Sequence, residues 1–311
     1  MRYVVGYSAN ARGHDAVNLA VSLARGRGAG LVLVLVVPEV SQFGAAHAPK
    51  TGFETLLHEQ ARQWLDEALA LVPSDVPAQA HIRGGESDAQ ALIEAAEELE
   101  ADMLIIGATS NGLFKRFTIG SVASALLHAA TVPVALAPHG YHRQESLTRI
   151  SCGLGTRAGA EKLLGFALGM ALNREVALRV VSLLTLHAGD SDGAAEAARD
   201  YAAKHLAAAL PAAEAGVQVE AKTEVVVAQG RSVEEAVDRL DWEDGEVLLI
   251  GSSRLARSRS IFLGSTANRI LRALPVPMVV VPSDYALKQP GYSPSSPSQL
   301  ASDVSLGEAQ K

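Results

Sequence analysis

The chain has 311 residues, enough for two ordinary domains, and at 48% hydrophobic and 20% charged each half can bury a normal core. A formal net charge of −7 argues against nucleic-acid binding as a main role, since phosphate-backbone binders carry a basic face. The single cysteine, Cys152, excludes an internal disulfide framework and a cysteine-rich metal site, and reads as a small buried residue of a strand.

From the N-terminus, Tyr3 to Ser8 reads as a strand, with no basic segment ahead of an apolar run. No secretory signal is therefore expected, and the chain is placed in the cytoplasm. A polar turn follows, then an Ala/Leu-rich helix from about Asp15 to Arg27. Leu31 to Val37 is apolar throughout, like a strand buried on both faces. The run ends at Pro38, far short of the ~20 residues that span a bilayer, so no membrane contact is expected. Helical spacing returns over Phe53 to Leu71, a weaker strand lies near Ala78 to Arg83, and a third helix covers Asp88 to Leu99. A fourth strand ends at Gly107, Gly120-Ser121 opens a helix through Leu127, and Val132 to Ala137 is the fifth strand.

The second half repeats this order. Its strands are predicted at Arg149 to Gly155, Val176 to Leu184, Val217 to Val227, Glu246 to Gly251 and Val276 to Val281. Its helices are predicted at Ala158 to Asn173, Ala194 to Leu210 and Val233 to Leu240, with a fourth opening at Gly264-Ser265. Gly107 and Gly251, Gly120 and Gly264, and Pro133 and Pro277 are each 144 residues apart. Self-similarity at a fixed offset is the signature of a duplicated unit. Each half reads as alternating strands and helices, which builds a parallel sheet with helices on both faces. The fold class is α/β: two tandem, doubly wound, five-stranded parallel-sheet domains at 1–138 and 149–283, joined by a polar linker at 139–148. The Ser/Pro-rich tail, 284–311, lacks an apolar period and is expected to be disordered.

In a doubly wound sheet, ligands bind at the strand C-termini where neighbouring crossovers diverge. That rule places candidate crevices at Ser8 with Gly107 and at Gly155 with Gly251. Glycines let backbone N–H groups approach a phosphate, and a helix N-terminus supplies free donors. Gly120 with Ser121, and Gly264 with Ser265, fit that use, and Ser121 is expected both to cap and to donate. The plainer reading of Gly-Ser ahead of a helix is an N-cap and nothing more. Arg254, Arg257 and Arg259 between Gly251 and Gly264 could grip phosphates or form a solvated basic loop, as could Lys115 and Arg116 in the first loop.

In its last two strands and glycine loops, each half resembles the universal stress protein family. There the fourth strand ends in Gly, two residues, Gly, nine residues, then Gly and Ser or Thr. Gly107, Gly120 and Ser121 match that pattern, as do Gly251, Gly264 and Ser265, and the Val-Pro segments at Val132 and Val276 match the family's last strand. The family's middle glycine is Ser110 in the first half and Arg254 in the second. ATP-binding members carry an aspartate at the end of the first strand, where this chain has Ser8 and Gly155; Asp15 lies too far into the next helix to replace it. The resemblance implies a stress-response module binding ATP with Mg, or a related adenine nucleotide, mainly through the first half. It also implies that the last strands of the two halves meet edge to edge, and it is compatible with a homodimer of the whole chain. The missing aspartates favour an alternative, a nucleotide-free protein-interaction scaffold of the same fold.

No catalytic set is legible. The nine histidines show no metal-ligand spacing, and neither a Gly-x-Ser-x-Gly elbow nor a P-loop lysine is present. A non-enzyme is expected; a weak ATPase is the third reading, short of a lysine and a base. Asp102 and Glu246, just ahead of the fourth strands, are expected to anchor the strand start rather than do chemistry.

Overall fold

The computed structural model describes residues 1–38, 50–108, 119–155, 160–185, 193–209, 222–252, 261, 263–283 and 285. Ten strands run β1 (Arg2–Tyr7), β2 (Gly30–Pro38), β3 (Ala78–Gly85), β4 (Met103–Gly107), β5 (Val134–Ala137), β6 (Arg149–Gly153), β7 (Ala177–Thr185), β8 (Thr223–Gly230), β9 (Glu246–Gly251) and β10 (Met278–Val281). Among the described residues eight helices alternate with them: α1 (Ala11–Ala24), α2 (Lys50–Ala70), α3 (Asp88–Glu98), α4 (Ser121–Ala129), α5 (Ala160–Leu172), α6 (Gly193–Ala209), α7 (Val233–Asp238) and α8 (Ser265–Ala273).

The sheet order is β3-β2-β1-β4-β5-β10-β9-β6-β7-β8. Within each half every pairing is parallel, as βαβ crossovers require. The central strands are apolar on both faces because helices cover both. One buried layer lies under α1, α2, α5 and α6, the other under α3, α4, α7 and α8, and each layer is continuous across both halves.

Only β5 and β10 are antiparallel. Their register is Leu136 to Met278, Ala135 to Val279 and Val134 to Val280. Ala135 and Val279 are counterparts at the 144-residue offset, so a pseudo-two-fold axis passes through that pair. The pairing covers two strand edges that would otherwise be open. It also turns the two halves head to tail, so the C-terminal strand rim of one lies beside the N-terminal rim of the other.

Contacts off the sheet tie the halves together. Ile261 N–H donates to the Ala130 carbonyl (3.0 Å) and Leu263 N–H to the Leu127 carbonyl (3.1 Å), joining the approach to α8 to the end of α4. On the other face the Arg174 guanidinium donates to the Leu23 carbonyl (2.8 Å). The polar linker is fastened along one stripe of α1. Asp15 accepts from Gly140 N–H (3.0 Å), Asn18 donates to the Tyr141 carbonyl (3.1 Å), and the Ser22 hydroxyl accepts from Gln144 N–H (2.9 Å).

Three expectations change. The first helix starts at Ala11, four residues early, because Asn10 caps it and Gly13 is tolerated inside it. The third strand of the second half is observed from Thr223; residues 210–221 lie outside the described residues. Tyr285, expected within a disordered tail, is docked: its ring meets Phe166 edge-on at 5.8 Å and its hydroxyl donates to the Asp102 carbonyl (3.0 Å). The remainder of the tail, 286–311, lies outside the described residues.

Candidate functional site

In the first half β2 and β3 lie on one side of β1, and β4 and β5 on the other. The β1 and β4 C-termini therefore flank the switch point, and Ser8 and Gly107 stand there. The turn out of β1 is tight. Asn10 N–H donates to the Ser8 carbonyl (2.7 Å), and Asn10 Oδ1 accepts from Arg12 N–H (3.0 Å), Gly13 N–H (3.4 Å) and the Ser8 hydroxyl (3.1 Å). The Ser8 proton is thus spent locally, leaving its oxygen lone pairs to face a ligand. Asn10 is the site residue that sequence reasoning missed, although an Asn ahead of a helical run is a cap signal.

Two glycines let α1 start this close. A Cβ on Gly13 would lie 1.8 Å from the Ser8 carbonyl oxygen, and one on Gly107 would lie 2.0 Å from the Arg12 carbonyl oxygen. Gly107 is therefore required by the packing of α1 against the β4 tip, a reason separate from any phosphate. In the second half, among the described residues, a Cβ on Gly251 meets the Leu163 side chain at 3.7 Å and one on Gly155 meets nothing within 4 Å.

Since α4 returns from the β4 C-terminus to the start of parallel β5, its N-terminus sits on the same rim as Ser8 and Gly107. Gly120 is the N-cap (φ −73°, ψ 170°), and Ser121 is the first helical residue, exposed. Ser121 therefore does not cap the helix as expected, and its hydroxyl is presented outward. Gly264 and Ser265 take the same places on α8.

Among the helices whose N-caps are described, α1, α3 and α7 are capped by the side chains of Asn10, Ser87 and Ser232. Only α4 and α8 carry no side-chain cap. Among the described residues their first-turn N–H groups therefore have no side-chain partner, on the positive end of the helix dipole. Ser110 and Arg254, like the basic residues Lys115, Arg116, Arg257 and Arg259, lie outside the described residues.

The other polar candidates are structural. Asp15 is buried, faces the linker with Gly140 and His139 rather than the crevice, and burial raises its carboxyl above the ordinary range. Asp102 accepts from Arg2 N–H (2.8 Å) and anchors the start of β1. Glu246, buried, does the same for the second half through Arg149, Arg179 and Ser151. Cys152 is fully buried and desolvation pushes its thiol up to about 12, so it is inert at neutral pH.

This duplicated switch-point fold, with a glycine-led helix at each rim, is that of a tandem, doubly wound α/β protein. The universal stress protein family model matches residues 1–138 and again 147–282, and the chain belongs to that family. Universal stress proteins of Mycobacterium tuberculosis and Mycobacterium bovis are 31% identical to it over 302 residues, covering 91% of this chain and 100% of each relative. The crystal structure of a universal stress protein from Archaeoglobus fulgidus superposes with a TM-score of 0.63 at 16% identity, over 90% of this chain and 96% of that one. A protein of unknown function from Pseudomonas aeruginosa does so with a TM-score of 0.56 at 15% identity, over 90% and 92%. At that identity the likeness concerns the fold. Among the described residues, no helix is long and apolar enough to cross a membrane.

Proposed function

We propose that this protein is a non-catalytic stress-response module that binds ATP or a related adenine nucleotide, mainly through its first half. The observation that carries the reading is selective capping: side chains close the N-termini of α1, α3 and α7, whereas the two glycine–serine helices have no side-chain cap among the described residues. Uncapped N–H groups at a switch-point rim suit a phosphate chain. The Ser121 hydroxyl adds a donor to phosphate or an oxygen ligand to Mg. Ser8 offers an oxygen to the nucleoside; Gly155 offers no side chain, which is why the first half is favoured.

A serine in place of a carboxylate gives up a charge-assisted hydrogen bond, typically about 1.5–3 kcal/mol. Binding roughly ten- to a hundredfold weaker than at a carboxylate-bearing site follows. The scaffold reading, in which the fold works through protein contacts alone, draws on the same substitution.

Denaturing the purified protein and chromatographing the supernatant tests the proposal, together with a melting curve in millimolar Mg-ATP. Adenine nucleotide in the supernatant, or a rise in Tm with ATP, is the expected result. No released nucleotide and an unmoved Tm would leave the scaffold reading standing.

A further inference from the structure

A groove of about 450 Å³ lies on the pseudo-dyad, between α4 of the first half and α8 of the second. Its polar lining is Ser124 and His128 from α4, with Ser265, Asn268, Arg269 and Arg272 from α8. Among the described residues no carboxylate lines it, on a chain whose net charge is −7.

The duplication shows how it became basic. At the 144-residue offset Ala125, His128 and Ser124 correspond to Arg269, Arg272 and Asn268. The second copy thus carries two guanidinium groups and an amide where the first carries a methyl, an imidazole and a hydroxyl. Arg269 is held in place: its Nε and Nη2 donate to both oxygens of Glu234 on α7, at 2.8 and 2.6 Å. Its Nη1 makes no bond among the described residues. Arg272, exposed in the last turn of α8, has no ion-pair partner among them.

We propose that this groove is a binding site for a small phosphate-bearing anion, held by Arg272 and Arg269 with Asn268, Ser124 and Ser265 as hydrogen-bonding partners. Guanidinium donors suit phosphate oxygens because their planar forks match them in pairs. The groove borrows Ser265 from the second half's candidate phosphate site but holds none of Ser8, Gly107, Gly120 or Ser121 of the first. Because both halves line it, its occupant bridges them across the dyad.

Calorimetric titration of pyrophosphate into the full chain at low ionic strength tests this. Saturable one-to-one binding is expected, weakened at least roughly tenfold in Arg272→Gln, the loss of one charge-assisted contact. Asn268→Asp, which puts a carboxylate into the groove, should lose binding as well. Lys204→Gln, which removes a charge from α6 on the opposite face, should keep it. Amide shifts on pyrophosphate addition should fall on residues 121–129 and 265–273. Unaltered affinity in both groove variants, amide shifts confined to the strand tips around Ser8 and Gly107, or no saturable binding to the parent chain would each overturn the proposal.

Discussion

Val4 and Val32, buried side by side in the first half, correspond in sheet register to Ser151 and Arg179 in the second. Arg179 is 2% exposed, donates to Ser151 and Glu246, and lies 4.7 Å from the Trp242 ring centre. One copy therefore solved the strand base with hydrocarbon and the other with an ion pair. Arg179→Val takes one of two guanidinium partners from buried Glu246, which keeps Arg149, and is expected to cost about 1–3 kcal/mol in urea unfolding. Restoring valine at two places and removing the charge at the third, Arg179→Val with Ser151→Val and Glu246→Gln, should recover most of it. Asp15 carries a second prediction. Burial, outweighing the Gly140 N–H bond and the nearby His139, raises its carboxyl pKa above 3.8. The folded state then holds the proton more tightly than the unfolded chain, so this group's contribution to stability falls as pH rises through the interval between the two values. Asp15→Asn, which can still accept from Gly140, should therefore raise Tm at neutral pH, and the difference should vanish below the ordinary value. A variant less stable than the parent at pH 7 would contradict this.

Elements were legible in the sequence wherever periodicity was strong, and their ends were not. Gly13 is why: a glycine two residues after Ala11 reads as a turn, and only the approach of α1 to the Ser8 carbonyl shows why a helix tolerates it. The same contact changes the meaning of Gly107. The sequence pattern places it in a phosphate loop, whereas its lack of a Cβ is already demanded by Arg12. Gly107→Ala should cost about 1–3 kcal/mol or more through overpacking against backbone. Gly251→Ala, which among the described residues meets an ordinary side-chain contact, should stay within about 0.5 kcal/mol. Equal losses in chemical denaturation would show that the two tips are packed alike. The capping contrast was half legible: Gly120 and Gly264 could be found, but that every other described N-cap is closed by a side chain could not.

For the whole molecule, the fixed 144-residue offset announced the duplication, but not the joining of the copies. Linker residues 139–148 look like a flexible polar tether in sequence; in the fold Gly140, Tyr141 and Gln144 are tied to the Asp15–Asn18–Ser22 stripe. Periodicity cannot reveal this, because the stripe uses polar side chains on an otherwise buried helix. Since the dyad passes through Ala135 and Val279, a separately expressed 1–138 segment retains an open β5 edge that is self-complementary at Ala135. It should run as a dimer in light scattering, and a stable monomer would show that the edge needs no partner. The antiparallel join also sets the two crevices on opposite rims, so their occupancies can be counted separately. The decisive measurement is the stoichiometry of Mg-ATP binding to the full chain, the Gly120→Asp variant and the Gly264→Asp variant. An aspartate at either N-cap supplies its own anion to the helix donors, which should leave the fold intact or slightly stabilised while closing the phosphate site. One nucleotide per chain, lost in Gly120→Asp and kept in Gly264→Asp, is the predicted result; two per chain, none, or loss through Gly264→Asp alone would contradict it.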